Sequence, residues 1–248
     1  MLSAAEIKQL KALRDDDRAR RDAGVFLVEG EKAVREFLRS QRFVGTLYVT
    51  ADWTTAPAPG QTMREVTPAE MEKISHLPSP SSVLAVLQRP TPTPLAPGLL
   101  QQGITLALDA VQDPGNVGTI LRIADWYGCA RVLLGEGCAD AYSQKVVNAS
   151  KGSLARAEIH RVDLPAVLAA AGVPVLGCDL DGASIHTLAA PPAAVVVIGN
   201  EGRGLSPAVQ ARVTQRVTIP SFGHAESLNA AIAAAIVCDN LRRLARSA

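Results

Sequence analysis

Apolar positions recur along the chain in two rhythms. Ile7, Leu10 and Leu13 fall on one helical face. Val25-Phe26-Leu27-Val28 is a short continuous apolar run that predicts a buried strand. Helical spacing returns over residues 31–40, with Val34, Phe37 and Leu38 turned inward. Residues 46–50 and 83–87 read as strands, and 68–76 as a short helix. This alternation predicts a small α/β domain. After residue 103 the runs become purer: 104–108, 131–134, 173–177, 195–198 and 216–219 are short and almost wholly apolar. Such runs suit strands covered on both faces, hence a parallel sheet with crossover helices. The helices are expected at 117–127, 164–171, 207–213 and 227–246.

Between the two patterns lies RPTPTPLAPGLLQQG, whose prolines exclude helix and central strand. The expected organisation is therefore a first domain over 1–89, a Pro-rich linker over 90–103 and a second domain over 104–248. With 248 residues, one or two domains are expected at roughly 100–200 residues each. Hydrophobic residues make up 48% and charged ones 20%, which supports a large core and argues against global disorder. Aromatics are only 4%, so that core is built mainly from Ala, Val, Leu and Ile. The formal net charge of +1 removes the argument for a strongly basic nucleic-acid binder, while leaving room for local basic patches.

Cys129, Cys138, Cys178 and Cys238 form no C-x-x-C pair. The expectation is reduced, mostly buried thiols, with neither a metal site nor a disulfide scaffold. No run approaches the ~18 apolar residues of a membrane span. The N-terminus has no apolar signal core, and Asp15, Asp16 and Asp17 argue against a transit peptide. The expected localisation is cytoplasmic, without membrane association.

Three segments carry candidate chemistry. In ALDAVQDPGNVGTILRIADWYG a strand meets turn residues, and Asn116 stands where a helix cap is expected. Gly118, Arg122 and Asp125 follow along one face of that helix, apart from Val117, Ile120, Leu121 and Ala124. In AAVVVIGNEGRGLSP a strand runs into Gly199, Asn200, Glu201, Gly202, Arg203 and Gly204. Three glycines there let backbone press against a ligand, at the strand ends where α/β folds bind ligands. In VTIPSFGHAESLNAAIAAAIV, Ile219 and Pro220 lead to Ser227, Leu228 and Asn229 at a helix N-terminus. Free N–H groups there favour anionic or polar ligands. Neither the G-x-G-x-x-G fingerprint nor a Walker A loop is present.

Together, Asn116-Val117-Gly118 with Arg122, the run from Ile198 to Leu205, and Ile219-Pro220 with Glu226-Ser227-Leu228-Asn229 resemble the SpoU (TrmH-like) branch of the SPOUT methyltransferases, which are RNA ribose 2′-O-methyltransferases. Residues 148–153 look like another segment of that family, with Asn148 where Arg is usual, and Ser221 stands where many relatives carry Met. Arg20 or Arg21, then GVFLVEGEKAV and SSVLAVL, are similar to the substrate-binding domain that precedes many SpoU catalytic domains.

The resemblance implies an α/β SPOUT-type domain with a deep trefoil knot behind a small α/β substrate-binding domain, and a homodimer packed through the knotted region. It implies S-adenosylmethionine as cofactor, held near Gly199, Gly202, Ile219, Leu228 and Leu180, and no metal. It implies RNA as partner, rRNA ahead of tRNA, with Arg14, Arg18, Arg20 and Arg21 beside phosphates. Arg122 would stabilise the developing 2′-alkoxide, with Asn116, Glu201 and Asn229 orienting it and the ribose; Arg122 acting instead as a neutral base, its proton shared to Ser227 or a phosphate, stays open. Two rivals remain on sequence grounds. A non-catalytic RNA-binding relative would be expected to lack Arg122 or Asn229, and a nucleotide-dependent oxidoreductase would need a phosphate-binding glycine loop near the first strand.

Overall fold

A computed structural model describes residues 1–96, 98–189 and 191–246, with side chains as far as residue 243. The chain divides into two compact units, residues 1–91 with 142–156, and 92–141 with 157–248. The first unit opens with α1 (Ala4–Asp15), capped by a Ser3–Glu6 capping box, and α2 (Asp17–Asp22). There follow β1 (Val25–Glu29), α3 (Glu31–Ser40), β2 (Gly45–Val49), β3 (Gln61–Glu65), α4 (Pro68–Ile74) and β4 (Val83–Gln88). The sheet order is β1-β4-β2-β3, antiparallel except for the parallel β2–β3 pair. Leu10, Leu13, Leu27, Met71, Ile74 and Leu84 form one core cluster.

The second unit begins within the stretch expected as linker. Pro97 lies outside the described residues, but Leu95 and Leu100 on either side pack onto the unit's core. β5 (Gly103–Leu108), α5 (Pro114–Trp126) and β6 (Arg131–Leu134) come next. The chain then re-enters the first unit through α6 (Gln144–Ser150). Tyr142 packs against Phe26 with ring centroids 5.1 Å apart, and the Gln144 amide donates to the Leu27 carbonyl at 3.4 Å. β7 (Ile159–Arg161), α7 (Leu164–Ala169), β8 (Val175–Ser184), β9 (Ala193–Ile198), α8 (Pro207–Gln210), β10 (Gln215–Thr218) and α9 (Ala230–Arg246) complete the second unit. Its sheet runs β10-β8-β9-β5-β6-β7, parallel throughout, as the apolar runs predicted. β9 is buried at every position, between strands on both sides and covered on both faces.

Two cap assignments differ from the sequence reading. Asp113, not Asn116, caps α5: its carboxylate accepts from the Asn116 N–H at 2.8 Å. Pro114 starts the helix, since its fixed φ suits the first turn and its missing N–H is no loss there. α9 begins at Ala230 rather than near 227, because the Asn229 side chain accepts from the N–H groups of Ala231 and Ile232 at 2.9 and 3.3 Å. Ser227 stays in the preceding loop.

Candidate active site

The loop after β9 is shaped by its own backbone. Asn200 and Gly204 exchange two backbone hydrogen bonds of 2.9 Å, and the Asn200 Oδ1 accepts from Gly202 and Arg203 N–H at 3.0 and 3.1 Å. That side chain's amide also donates to the Ala110 carbonyl at 2.9 Å, just beyond β5. Asp109 accepts from the Ser206 N–H at 2.6 Å and fixes the far end of the loop. A Cβ on Gly199 would lie 2.4 Å from the Gly204 carbonyl carbon, so glycine is required at 199 by the fold. Around Gly202 the nearest heavy atom to such a Cβ is 3.8 Å away, so space for a ligand remains there.

β8 contributes a second wall through an irregularity. Arg216 pairs with Gly177, but the next residue of β10, Val217, pairs with Ala183. One step on β10 thus spans six on β8, and the intervening residues are pushed out of register. Leu180 is 74% exposed, and its carbonyl accepts from the Thr218 hydroxyl at 3.1 Å. A Cβ on Gly182 would meet the Arg216 carbonyl carbon at 2.7 Å, so the return of the bulge needs glycine.

Between these walls and the loop before α9 is a cavity of about 720 Å³, within the range of small-molecule sites. It is lined by all five residues expected to hold a cofactor, Leu180, Gly199, Gly202, Ile219 and Leu228, and also by Glu201 and Ser227. Asp179, Glu201 and Glu226 bring carboxylates, and Arg203 is the one Lys, Arg or His among the described lining residues. Cys178, Asp179 and Phe222 also line it and were not anticipated. The one signal for the first two was Asp181-Gly182, turn chemistry inside an otherwise apolar strand.

At its edge the three motifs meet. The Asn229 amide donates to Asn116 Oδ1 at 2.8 Å, and the Asn116 amide donates to Glu201 Oε1 at 2.6 Å. Residues far apart in sequence thus form one relay from α9 through α5 to the glycine loop. Arg122 is exposed on α5 and is not among the cavity-lining residues. The structure therefore joins Asn116, Glu201 and Asn229 to one another; among the described residues no hydrogen bond links Arg122 to them.

The four N-terminal arginines are placed differently from one another. Arg18 and Arg21 are exposed, with Arg18 3.6 Å from Asp22. Arg14 pairs with Asp15 at 2.6 Å and donates to the Lys73 carbonyl at 3.0 Å. Arg20 is buried, its guanidinium bonded to the Leu13 and Arg14 carbonyls and to Asp17. It braces the α1–α2 turn, which withdraws it from the set facing phosphates. Among the described residues no group of His, Cys, Asp and Glu is arranged to hold a metal, and no helix is long and apolar enough to cross a membrane.

Comparison with known proteins places this geometry. The sequence model of the SpoU rRNA Methylase family matches residues 103–239, and that of the MRM3-like substrate binding domain matches 4–85. The 23S rRNA (guanosine(2553)-2'-O)-methyltransferase RlmP of Bacillus subtilis is 33% identical over 244 residues, covering 96% of each chain. A protein assigned to the TrmH family of RNA methyltransferases, from Porphyromonas gingivalis, has a solved structure with TM-score 0.87 and 42% identity, covering 98% of this chain and 99% of that one. The SpoU methyltransferase AviRb from Streptomyces viridochromogenes, solved with its cofactor AdoMet, superposes with TM-score 0.82 at 26% identity over 99% of both chains. By its matched domains, and by a relative aligned over nearly its whole length, this chain belongs to the SpoU rRNA methylase family.

Proposed function

We propose that the chain transfers a methyl group from S-adenosylmethionine to a ribose 2′-hydroxyl of rRNA. The observation that carries this is the cavity itself, with the Asn229–Asn116–Glu201 relay at its edge. The residues fit the cofactor. Leu180, Ile198, Ile219, Phe222 and Leu228 give apolar walls suited to an adenine, while Asp179, Glu201 and Glu226 suit a cationic sulfonium and ammonium. When bound, the cofactor supplies an electrophilic methyl group.

The chain's own residues do the rest. Asn229 and Asn116 hold Glu201 in one orientation at the cavity edge. Ser227, exposed on the cavity loop, is assigned to hydrogen-bond the ribose hydroxyl, whose proton leaves to a phosphate oxygen of the RNA. Arg122 is the cation assigned to the developing alkoxide. A guanidinium keeps its proton in proteins, so electrostatic stabilisation is favoured over a role as base. Arg14, Arg18 and Arg21 are assigned to RNA phosphates, without Arg20. Exposed Trp126 on α5 and Ile232 on α9, 83% and 52% accessible, favour a homodimer through this unit. The trefoil knot of the family and a cytoplasmic location belong to the same reading.

The test is single-turnover methyl transfer from labelled cofactor to rRNA and to tRNA. The wild type is expected to label rRNA at ribose. Arg122→Ala should bind cofactor and RNA normally yet transfer ~10²–10³ more slowly, the usual loss of one preorganised donor. Arg122→Lys keeps the charge without the planar fork and should recover little. Near-wild-type transfer by the Ala variant would assign the alkoxide to another group.

A further inference from the structure

We infer that Cys129 and Cys238 are a redox-active dithiol, a modification site at which a peroxide converts the pair to a reversible disulfide. Their sulfurs are 3.9 Å apart, in direct contact across 109 residues of chain. Cys129 is partly exposed just beyond α5, and Cys238 is buried on α9. The backbone around them is already held in place. Arg242 donates to the Tyr127 and Gly128 carbonyls, each at 2.6 Å, and the Tyr127 hydroxyl donates to Asp239 at 3.3 Å. A disulfide needs the sulfurs at about 2.0 Å, so side-chain rotation has to close a gap of about 2 Å.

The two thiols are unequal in the way a stepwise oxidation requires. The hydrogen bond with Cys238, helped by the nearby Arg242 guanidinium, lowers the Cys129 thiol below its ordinary value, against the opposing effect of burial. The same contact and burial raise Cys238. The more acidic and more accessible sulfur is thus the attacker, and its buried neighbour resolves it. The Cys129 thiolate attacks one peroxide oxygen, the O–O bond breaks, and a sulfenic acid forms as the hydroxide takes up the thiol's proton and leaves as water. The Cys238 sulfur then attacks the sulfenic sulfur. The S–O bond breaks, and the oxygen leaves as a second water carrying the Cys238 proton. Two thiols are oxidised and one peroxide is reduced to two waters.

The remaining cysteines are poorer candidates. Burial pushes Cys178 up to about 12, and burial raises Cys138, whose thiol donates to the Leu108 carbonyl at 3.2 Å. The cross-link would tie the end of α5 to α9 directly behind Val237, which lines the cavity.

The test is treatment of the reduced full-length protein with hydrogen peroxide. Titratable thiols should fall from four to two, and the intact mass should drop by two hydrogens. A non-reduced peptide map should join Cys129 to Cys238, and a phosphine reductant should restore all four thiols. The melting temperature of the oxidised form should rise, because closing so long a loop restricts the unfolded chain. Cys129→Ser and Cys238→Ser should each abolish the mass loss, and Cys138→Ser should retain it. Four surviving thiols, oxygen retained on Cys129, or pairing through Cys178 would each overturn the assignment. None of these readouts depends on methyl transfer.

Discussion

Asn229 holds two roles that substitution can separate. Its Oδ1 caps α9, and its amide donates to Asn116, which in turn donates to Glu201. Asn229→Ala removes both. Loss of such a cap costs about 1 kcal/mol, which for a chain of this size lowers the melting temperature by roughly 2–4 °C. Asn229→Asp keeps an oxygen for the helix N–H groups, and a carboxylate suits a helix N-terminus, so it should melt near the wild type. It has no amide to offer Asn116, however. If Asn116 turns to donate to the new carboxylate, its oxygen faces Glu201 and that hydrogen bond fails instead. Either way one link of the relay is lost: the neutral amide–amide bond, worth about 0.5–1.5 kcal/mol, or the bond to the Glu201 carboxylate, worth about 1.5–3 kcal/mol. Single-turnover methyl transfer should therefore fall about 2- to 100-fold in the Asp variant, at 1.36 kcal/mol per tenfold. Thermal melts and labelled transfer on wild type, Ala and Asp variants decide the matter. Wild-type transfer by the Asp variant would show that the relay does not serve the chemistry, and a melt as low as that of the Ala variant would remove Asn229 as the cap.

Gly202→Val should melt with the wild type, since space is open there, yet bind cofactor at least about tenfold more weakly by calorimetry, a loss of about 1.4 kcal/mol. Gly199→Ala should instead destabilise the fold, because its Cβ meets the Gly204 backbone; equal melting of the two variants would contradict this division. Arg20→Ala should lower stability with or without RNA, whereas Arg18→Ala and Arg21→Ala should leave the melt unchanged and reduce the salt dependence of RNA binding. Glu29 is buried, which raises its carboxyl, but contacts from His76 and Ser75 outweigh burial and leave it below the ordinary glutamate value of 4.5. A lowered folded value stabilises the fold above the unfolded value, and the gain is lost as pH falls through the folded one. Glu29→Gln should therefore be less stable than wild type at neutral pH, with the gap narrowing below pH 4.5; a gap independent of pH would refute the charge argument.

The parts of the fold legible in sequence are those whose burial leaves a pattern. β5 and β9 are covered on both faces, and their apolar runs announced a parallel sheet. β3 left no such mark, since Gln61–Glu65 is an edge strand with Thr62, Met63 and Glu65 exposed. β7 is a three-residue edge strand and was equally silent. α2 is almost wholly charged, and only the structure shows that Arg20 turns inward. At the site, the motifs named Asn116, Glu201 and Asn229, but spacing could not show that they bond to one another. The β8 bulge was hidden for a different reason: it depends on register with β10, a partner distant in sequence.

The departure at Asn148 has a physical setting in the first unit. Asn148 accepts from the Gln144 amide at 3.1 Å, and its own amide lies 3.5 Å from His76 Nε2. The opposite ring nitrogen of His76 lies 2.7 Å from Glu29, off the hydrogen-bond axis, and the Glu29 carboxylate also accepts from the His76 N–H at 3.0 Å. A neutral amide at 148 can share a proton with the imidazole whichever ring nitrogen carries it. An arginine there would be acceptor-free and would set a fixed cation beside the ring. Asn148, where the resemblance implies an arginine, thus suits a histidine anchored on a buried carboxylate. Lys145 and Lys151, exposed on the same segment, keep positive charge there without that conflict.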